Sequence, residues 1–95
     1  MASTPTSHVT HNAAQSRFEL ERAGHVCVAD YQVDAGVMHL THTWVDPSLQ
    51  GQGIAAALVE AALAHARQRG LHVNPACSYV KTYMQRHPDT QDLLA

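Results

Sequence analysis

Two places in this chain carry residues whose types and spacing suit chemistry. The first is Gln50-Gly51-Gln52-Gly53-Ile54-Ala55, between an apolar strand end at Thr43-Trp44-Val45 and a long alanine-rich stretch. Gly51 and Gly53 carry no Cβ, so the backbone there can bend sharply and a ligand can approach its amides closely. The first N–H groups of a following helix have no partner within it, and the helix dipole adds positive charge at that end. Strand, glycine turn and helix start together make a ready phosphate site. The second place is Cys77, which follows a short strand and precedes a helix start. Amides at a helix start favour the thiolate, the nucleophilic form of cysteine. The competing role is that of a small buried hydrophobe, and Cys27 is expected to fill that role in the core.

The elements that must position these residues are legible in the pattern. Ile54, Ala55, Leu58, Val59, Ala62 and Ala66 share one broad helical face, with Glu60 and Arg67 pointing away. Arg67 and Arg69 suit the negative end of the dipole, and Gly70 is a natural stop. Spacing alone leaves open a packing helix with a glycine loop before it. Upstream, Phe18-Glu19-Leu20-Glu21, His25 to Val33 and Val37 to Val45 read as strands. Arg22-Ala23-Gly24 and Asp34-Ala35-Gly36 form the tight turns between them, so the three strands make an antiparallel meander. Downstream, Leu71-His72-Val73 is a short strand returned parallel to Val37–Val45, and Pro75 ends or bends it. Ser78 to Arg86 reads as a second helix, N-capped by Ser78 and stopped by His87-Pro88. Leu93 and Leu94 in the tail are placed to dock on the sheet.

Composition bounds the rest. A chain of 95 residues with 45% hydrophobic and 15% charged content forms one soluble domain with one modest core. Residues 1–16 are small and polar without periodicity, which predicts a frayed arm before a domain over 17–95. A net charge of −2 gives no electrostatic case for nucleic acid or an anionic membrane. No apolar run is long enough to span a bilayer and no signal-peptide core is present, so a cytoplasmic protein with reduced thiols is expected. The eight histidines, His39-x-x-His42 among them, do not combine with cysteines into a zinc pattern, and no metal is expected.

The glycine turn also fits Gln/Arg-x-x-Gly-x-Gly/Ala, the pattern of the GCN5-related N-acetyltransferases (GNAT), with Gln50, Gly53 and Ala55 at its defining positions. Leu40-Thr41-His42-Thr43, Val45, Pro47, Pro75, Cys77-Ser78-Tyr79 and Arg86-His87-Pro88 also look like a compact single-domain branch of that superfamily. The resemblance spans about Phe18 to Leu94. It implies an α+β, GNAT-like mixed sheet: the three-strand meander, a parallel pair that splays apart, a long helix and a short C-terminal one. Acetyl-coenzyme A is the implied co-substrate. Its pyrophosphate would lie on the amides of Gln50, Gly51, Gln52, Gly53, Ile54 and Ala55, and its pantetheine arm in the splay beside Trp44 and Val45. The implied activity is acetyl transfer to an amine of a small molecule or protein.

That reaction needs a held thioester, a polarised carbonyl, a deprotonated amine and a proton for the leaving thiolate. By resemblance, amides around Val45 polarise the carbonyl and Tyr83 donates the proton, with Tyr79, one helical turn earlier, as its competitor. Both tyrosines also suit plain packing. Similar compact proteins carry a cysteine where this chain has Cys77, close to the acetyl group, so it either lines the site or takes the acetyl group itself. His42, beside the expected thioester, is the candidate base. Two departures stand out. Trp44 replaces an acid that many relatives carry, and the short Arg22-Ala23-Gly24 turn leaves no room for the helices that shape the acceptor site in larger relatives. The acceptor cleft is therefore expected to be shallow and open. A non-catalytic acyl-coenzyme A binding or sensing module is the alternative. An RNA- or protein-binding adaptor is a third reading, and the charge counts against RNA.

Overall fold

In the computed structural model, which describes residues 8–95, alternating side chains build a five-stranded sheet in the order β1-β2-β3-β4-β5. The strands are β1 (Thr10–Asn12), β2 (Arg17–Arg22), β3 (His25–Asp34), β4 (Val37–Trp44) and β5 (His72–Asn74). The first four run antiparallel, and β5 lies parallel to β4. Phe18, Leu20, Cys27, Ala29, Met38 and Leu40 are buried on one face. Helices α1 (Ile54–Gln68) and α2 (Ser78–Arg86) complete one continuous core with them.

The frayed arm expected over residues 1–16 is corrected from Thr10 onward, and its Met1–Ser7 part lies outside the described residues. Thr10–Asn12 pairs with Arg17–Glu19, so the meander has four strands rather than three. The cause is tertiary. His11 stacks on Phe18 with ring centroids 4.3 Å apart, and its Nε2 meets the Tyr31 hydroxyl at 2.6 Å. Both hairpin turns place two consecutive residues at positive φ, Ala23 (52°) with Gly24 (80°) and Ala35 (51°) with Gly36 (78°). That backbone matches the twist of the flanking strands, and two alanines accept strain to adopt it.

One irregularity decides which side chains face the site. Tyr31 opposes Leu40, but Asp30 opposes His42, so β4 carries an extra residue at Thr41. An extra residue shifts strand parity by one. Past Thr41, Thr43 pairs with the buried Ala29 and shares the helix-covered face, while His42 and Trp44 turn to the opposite one.

Helix α1 buries Ile54, Ala57, Leu58, Val59, Ala62, Leu63 and Ala66, and Ala55 is only half-buried. Its end follows the expected glycine stop. The Gly70 N–H donates to the Arg67 carbonyl at 3.3 Å and the Leu71 N–H to the Ala66 carbonyl at 2.8 Å, with Gly70 at φ 67°. The expected N-cap of α2 moves from Ser78 to Cys77. The Cys77 amide donates to the Leu40 carbonyl at 2.9 Å, which fixes an extended backbone there, while its carbonyl already accepts from Lys81 at 3.0 Å. Leu93 is buried as expected, whereas the Leu94 side chain is exposed and its backbone bridges Val73.

Candidate functional site

Strands β4 and β5 pair over only three rungs: Val37 with His72, Met38 with Val73 and His39 with Asn74. Pro75 has no N–H to continue the ladder, and the Cys77-to-Leu40 hydrogen bond is the last backbone-to-backbone link between the two segments. Beyond it β4 runs on to Trp44 while the other chain turns into α2. A wedge opens there, with Thr43 and Val45 on one side and the start of α2 on the other.

The turn that closes the wide end is locally built. The Asp46 carboxylate accepts from the hydroxyl and the amide of Ser48. Those two bonds hold it below the usual carboxylate range, with a smaller contribution from His25. Pro47–Leu49 forms a single tight helical turn whose Leu49 is buried, which anchors the loop to the core. Gly51 (φ 86°) and Gly53 (φ 77°) are both left-handed, and Gly53 is the N-cap of α1. The Gly53 carbonyl accepts from Ala57 at 3.0 Å, so the amides of Ile54, Ala55 and Ala56 are left unused by the helix. A Cβ at either glycine would meet no heavy atom within 4 Å, so the turn opens onto free space. The Arg22 guanidinium donates to the Gln52 side-chain oxygen at 3.4 Å and ties the end of β2 to the glycine turn.

Two cavities share this turn. One, of about 410 Å³, is lined by Thr43, Val45, Gln50, Gly51, Gly53 and Tyr79 among others. The second, of about 450 Å³, follows the groove between α1 and α2, past Ala56, Glu60, Tyr83 and Arg86. Gly53, Ala56 and Tyr79 border both, so the two form one continuous trough.

Cys77 sits at the narrow end of the wedge. Its Sγ lies 3.6 Å from the Thr43 hydroxyl. Partial burial pushes the thiol up, but the Thr43 hydroxyl and the amides of Val80, Tyr79 and Thr43 outweigh it and lower the pKa. Tyr79 is exposed along one edge, and burial raises its phenol. Tyr83 is half-buried and stacks on His87 with centroids 3.9 Å apart. Burial, then the nearby Glu60, Tyr79 and Asp89, keeps its phenol protonated to higher pH.

The sequence-predicted residues thus divide into groups. Val45, Gln50, Gly51, Gly53, Ile54, Ala55 and Tyr79 line the first cavity. Tyr83 lines only the second of the two, and the Gln52 side chain is held by Arg22. His42 and Trp44 stand on the far face of the sheet, not on the cavity side, because of the extra residue at Thr41. Sequence reasoning assigned no role to Thr43, Ala56 or Arg22. Strand parity pointed Thr43 the wrong way, and the Arg22–Gln52 contact joins residues 30 apart. Among the described residues no group of three or more His, Cys, Asp or Glu side chains is placed to hold a metal, and no helix is long and apolar enough to cross a membrane.

Comparison with known proteins agrees with this architecture. A family model described as GCN5-related N-acetyl-transferase matches residues 17–93. No curated protein matches the chain. The solution structure of a GCN5-like protein from Staphylococcus aureus superposes with a TM-score of 0.72 at 24% identity, over 92% of this chain and 86% of that one. That likeness carries the fold: the mixed α+β sheet with its antiparallel meander and parallel pair. The family match covers most of the chain, and on it the protein belongs to the GCN5-related N-acetyltransferases, enzymes of the acyltransferase class.

Proposed function

We propose that this protein is an acetyl-coenzyme A-dependent N-acetyltransferase whose coenzyme lies along the trough between α1, α2 and the wedge. The observation that carries the reading is the turn over residues 50–55. Two left-handed glycines leave free amides at the start of α1, and this junction opens directly onto a cavity bounded by Thr43 and Tyr79. An anionic pyrophosphate suits the amides, and a pantetheine arm suits the apolar walls of Val45, Leu49 and Ile54.

The thioester then lies in the wedge near Thr43 and Cys77. The amine nitrogen attacks the carbonyl carbon, the carbon–sulfur bond breaks, and the coenzyme leaves as thiolate. Free amides of unpaired β4, around Val45, stabilise the oxyanion. The helical side is filled by the coenzyme, so the amine approaches from the opposite face of the sheet, where His42 takes its proton. Tyr79 returns a proton to the departing sulfur, since it alone of the two tyrosines borders the wedge cavity. Cys77 stands behind Thr43 and takes no covalent part in this direct route.

Thermal unfolding tests the reading. Acetyl-coenzyme A at a hundredfold excess over its dissociation constant is expected to stabilise the fold by about 2.7 kcal/mol. An unchanged melting temperature at millimolar acetyl-coenzyme A rejects the proposal. Stabilisation without coenzyme A release, across pooled amines, peptides and polyamines, leaves a binding module instead of an enzyme.

A further inference from the structure

Charge is segregated along this chain, and the fold turns that bias into two different surfaces. Between Arg17 and Asp46, five carboxylates (Glu19, Glu21, Asp30, Asp34, Asp46) stand against two arginines, Arg17 and Arg22. From α1 onward, four cations (Arg67, Arg69, Lys81, Arg86) stand against Glu60, Asp89 and Asp92. The trough is lined by Glu60 as well as Arg86, so the surplus of carboxylates lies on the sheet. The uncovered face of the sheet is acidic.

The register places these groups. Glu19, Val28 and Trp44 lie in one row across β2, β3 and β4, and Glu21 with Val26 lies in the next. Asp30 and His42 lie in the row before. Trp44 (41% exposed) and Val26 (44%) thus form, with the half-buried Val28, an apolar strip that ends at the wedge and is flanked by carboxylates. Arg17 stands 3.4 Å from Asp30 and 3.7 Å from Glu19, so a single guanidinium serves two carboxylates and Glu21 adds to the excess. The cavities described above lie on the helical side, and none of their lining residues belongs to this outer face. Small-molecule sites are concave, whereas an extended chain can lie along strands.

We infer that the acceptor is a lysine side chain within a basic peptide segment, laid along the outer face of β2–β4. The inference rests on the acetyl-transfer reading. The reacting amine enters beside His42, and a neighbouring basic side chain sits over the Trp44 indole, where a cation is attracted to the ring face. Glu21, Glu19 and Asp30 supply the long-range attraction. Trp44 thereby acts in recognition.

The test compares three acceptors with acetyl-coenzyme A: a short lysine- and arginine-rich peptide, the same peptide with all but one basic residue changed to glutamate, and spermidine. Acetylated product is counted by mass. The basic peptide is expected to exceed the acidic one about tenfold or more in kcat/KM, with the advantage shrinking as added salt shortens the Debye length from about 10 Å towards 3 Å. Glu21→Lys is expected to raise KM for the basic peptide severalfold, with stabilisation by acetyl-coenzyme A as in the unmutated chain. Equal use of the two peptides, preference for spermidine, or indifference to both salt and Glu21→Lys overturns the inference. Stabilisation by acetyl-coenzyme A with transfer to none of the three overturns it as well. Absence of stabilisation fails the coenzyme reading itself, a separately readable result.

Discussion

At the scale of single residues, Cys77 and Tyr79 carry the sharpest consequences. The Thr43 hydroxyl and the first amides of α2 hold the Cys77 thiol below its ordinary value against the opposing effect of burial. Alkylation by iodoacetamide is therefore expected to reach half its maximal rate at lower pH than that of a free cysteine assayed alongside. Thr43→Val, which keeps the shape and removes the hydroxyl, should move that midpoint upward. A midpoint unchanged by Thr43→Val would show that the hydroxyl does not act on the thiol. The same thiolate makes a covalent route conceivable, and intact mass decides it. The direct route predicts no acetyl adduct when the protein and acetyl-coenzyme A are mixed without amine and quenched in acid. An adduct that forms as fast as turnover and disappears in Cys77→Ser would replace that route with a two-step one. For the proton donor, Tyr79→Phe is expected to lower turnover by about 10²–10⁴-fold with coenzyme affinity little changed. Loss in Tyr83→Phe alone would move the role one helical turn along α2.

Among the elements, the junction of the glycine turn with α1 links folding to binding most directly. Gly53 is both the N-cap of the helix and a left-handed residue, with open space where a side chain would go. Gly53→Ala is accordingly expected to cost about 1–2 kcal/mol, the price of that backbone in an L-residue, without a steric clash inside the protein. Gly53→Glu should likewise remain folded, as judged by circular dichroism. It should lose stabilisation by acetyl-coenzyme A, because a carboxylate then stands among the amides offered to the pyrophosphate. Retained stabilisation in Gly53→Glu would place the coenzyme elsewhere. The extra residue in β4 works at the same scale. It gives Thr43 to the trough and His42 with Trp44 to the outer face, so one strand serves both sides of the wedge.

Across the whole molecule, β1 is tied down by an aromatic cluster that makes stability depend on pH. His11 packs against both Phe18 and His65, with a ring-centroid separation of 4.5 Å to the latter, and meets the Tyr31 hydroxyl. Burial, then His11 and Arg69, lowers His65 from its ordinary 6.5. The unfolded chain consequently takes up a proton at that site before the folded one does. This contribution to stability is complete above pH 6.5 and is lost progressively as pH falls towards the depressed folded value. Asp46 and Asp92 are depressed by hydrogen bonds from Ser48 and Arg67, and their contributions fail only in the more acidic carboxylate range. Melting temperature should thus decline as pH falls below 6.5, and His65→Gln should flatten that segment of the curve. An identical decline in His65→Gln would remove His65 as its source.

What the sequence determined by itself was everything written in local periodicity and in residues with special backbones. The strands from Phe18, His25 and Val37, the helix from Ile54 with its Gly70 stop, the Pro75 break and the left-handed glycines at 51 and 53 all follow from neighbours a few residues apart. The same local run, Gln50 to Ala55, pointed to the family. Tertiary structure alone decided the rest, because it depends on partners distant in the chain. β1 exists because His11 finds Phe18 and Tyr31, though nothing in its polar surroundings suggests a strand. Cys77 rather than Ser78 caps α2 because its amide is committed to Leu40. The slip between Asp30 and Tyr31 reverses which side chains of β4 meet the trough, and no strict alternation of two can reveal an added residue until the partner strand is in place.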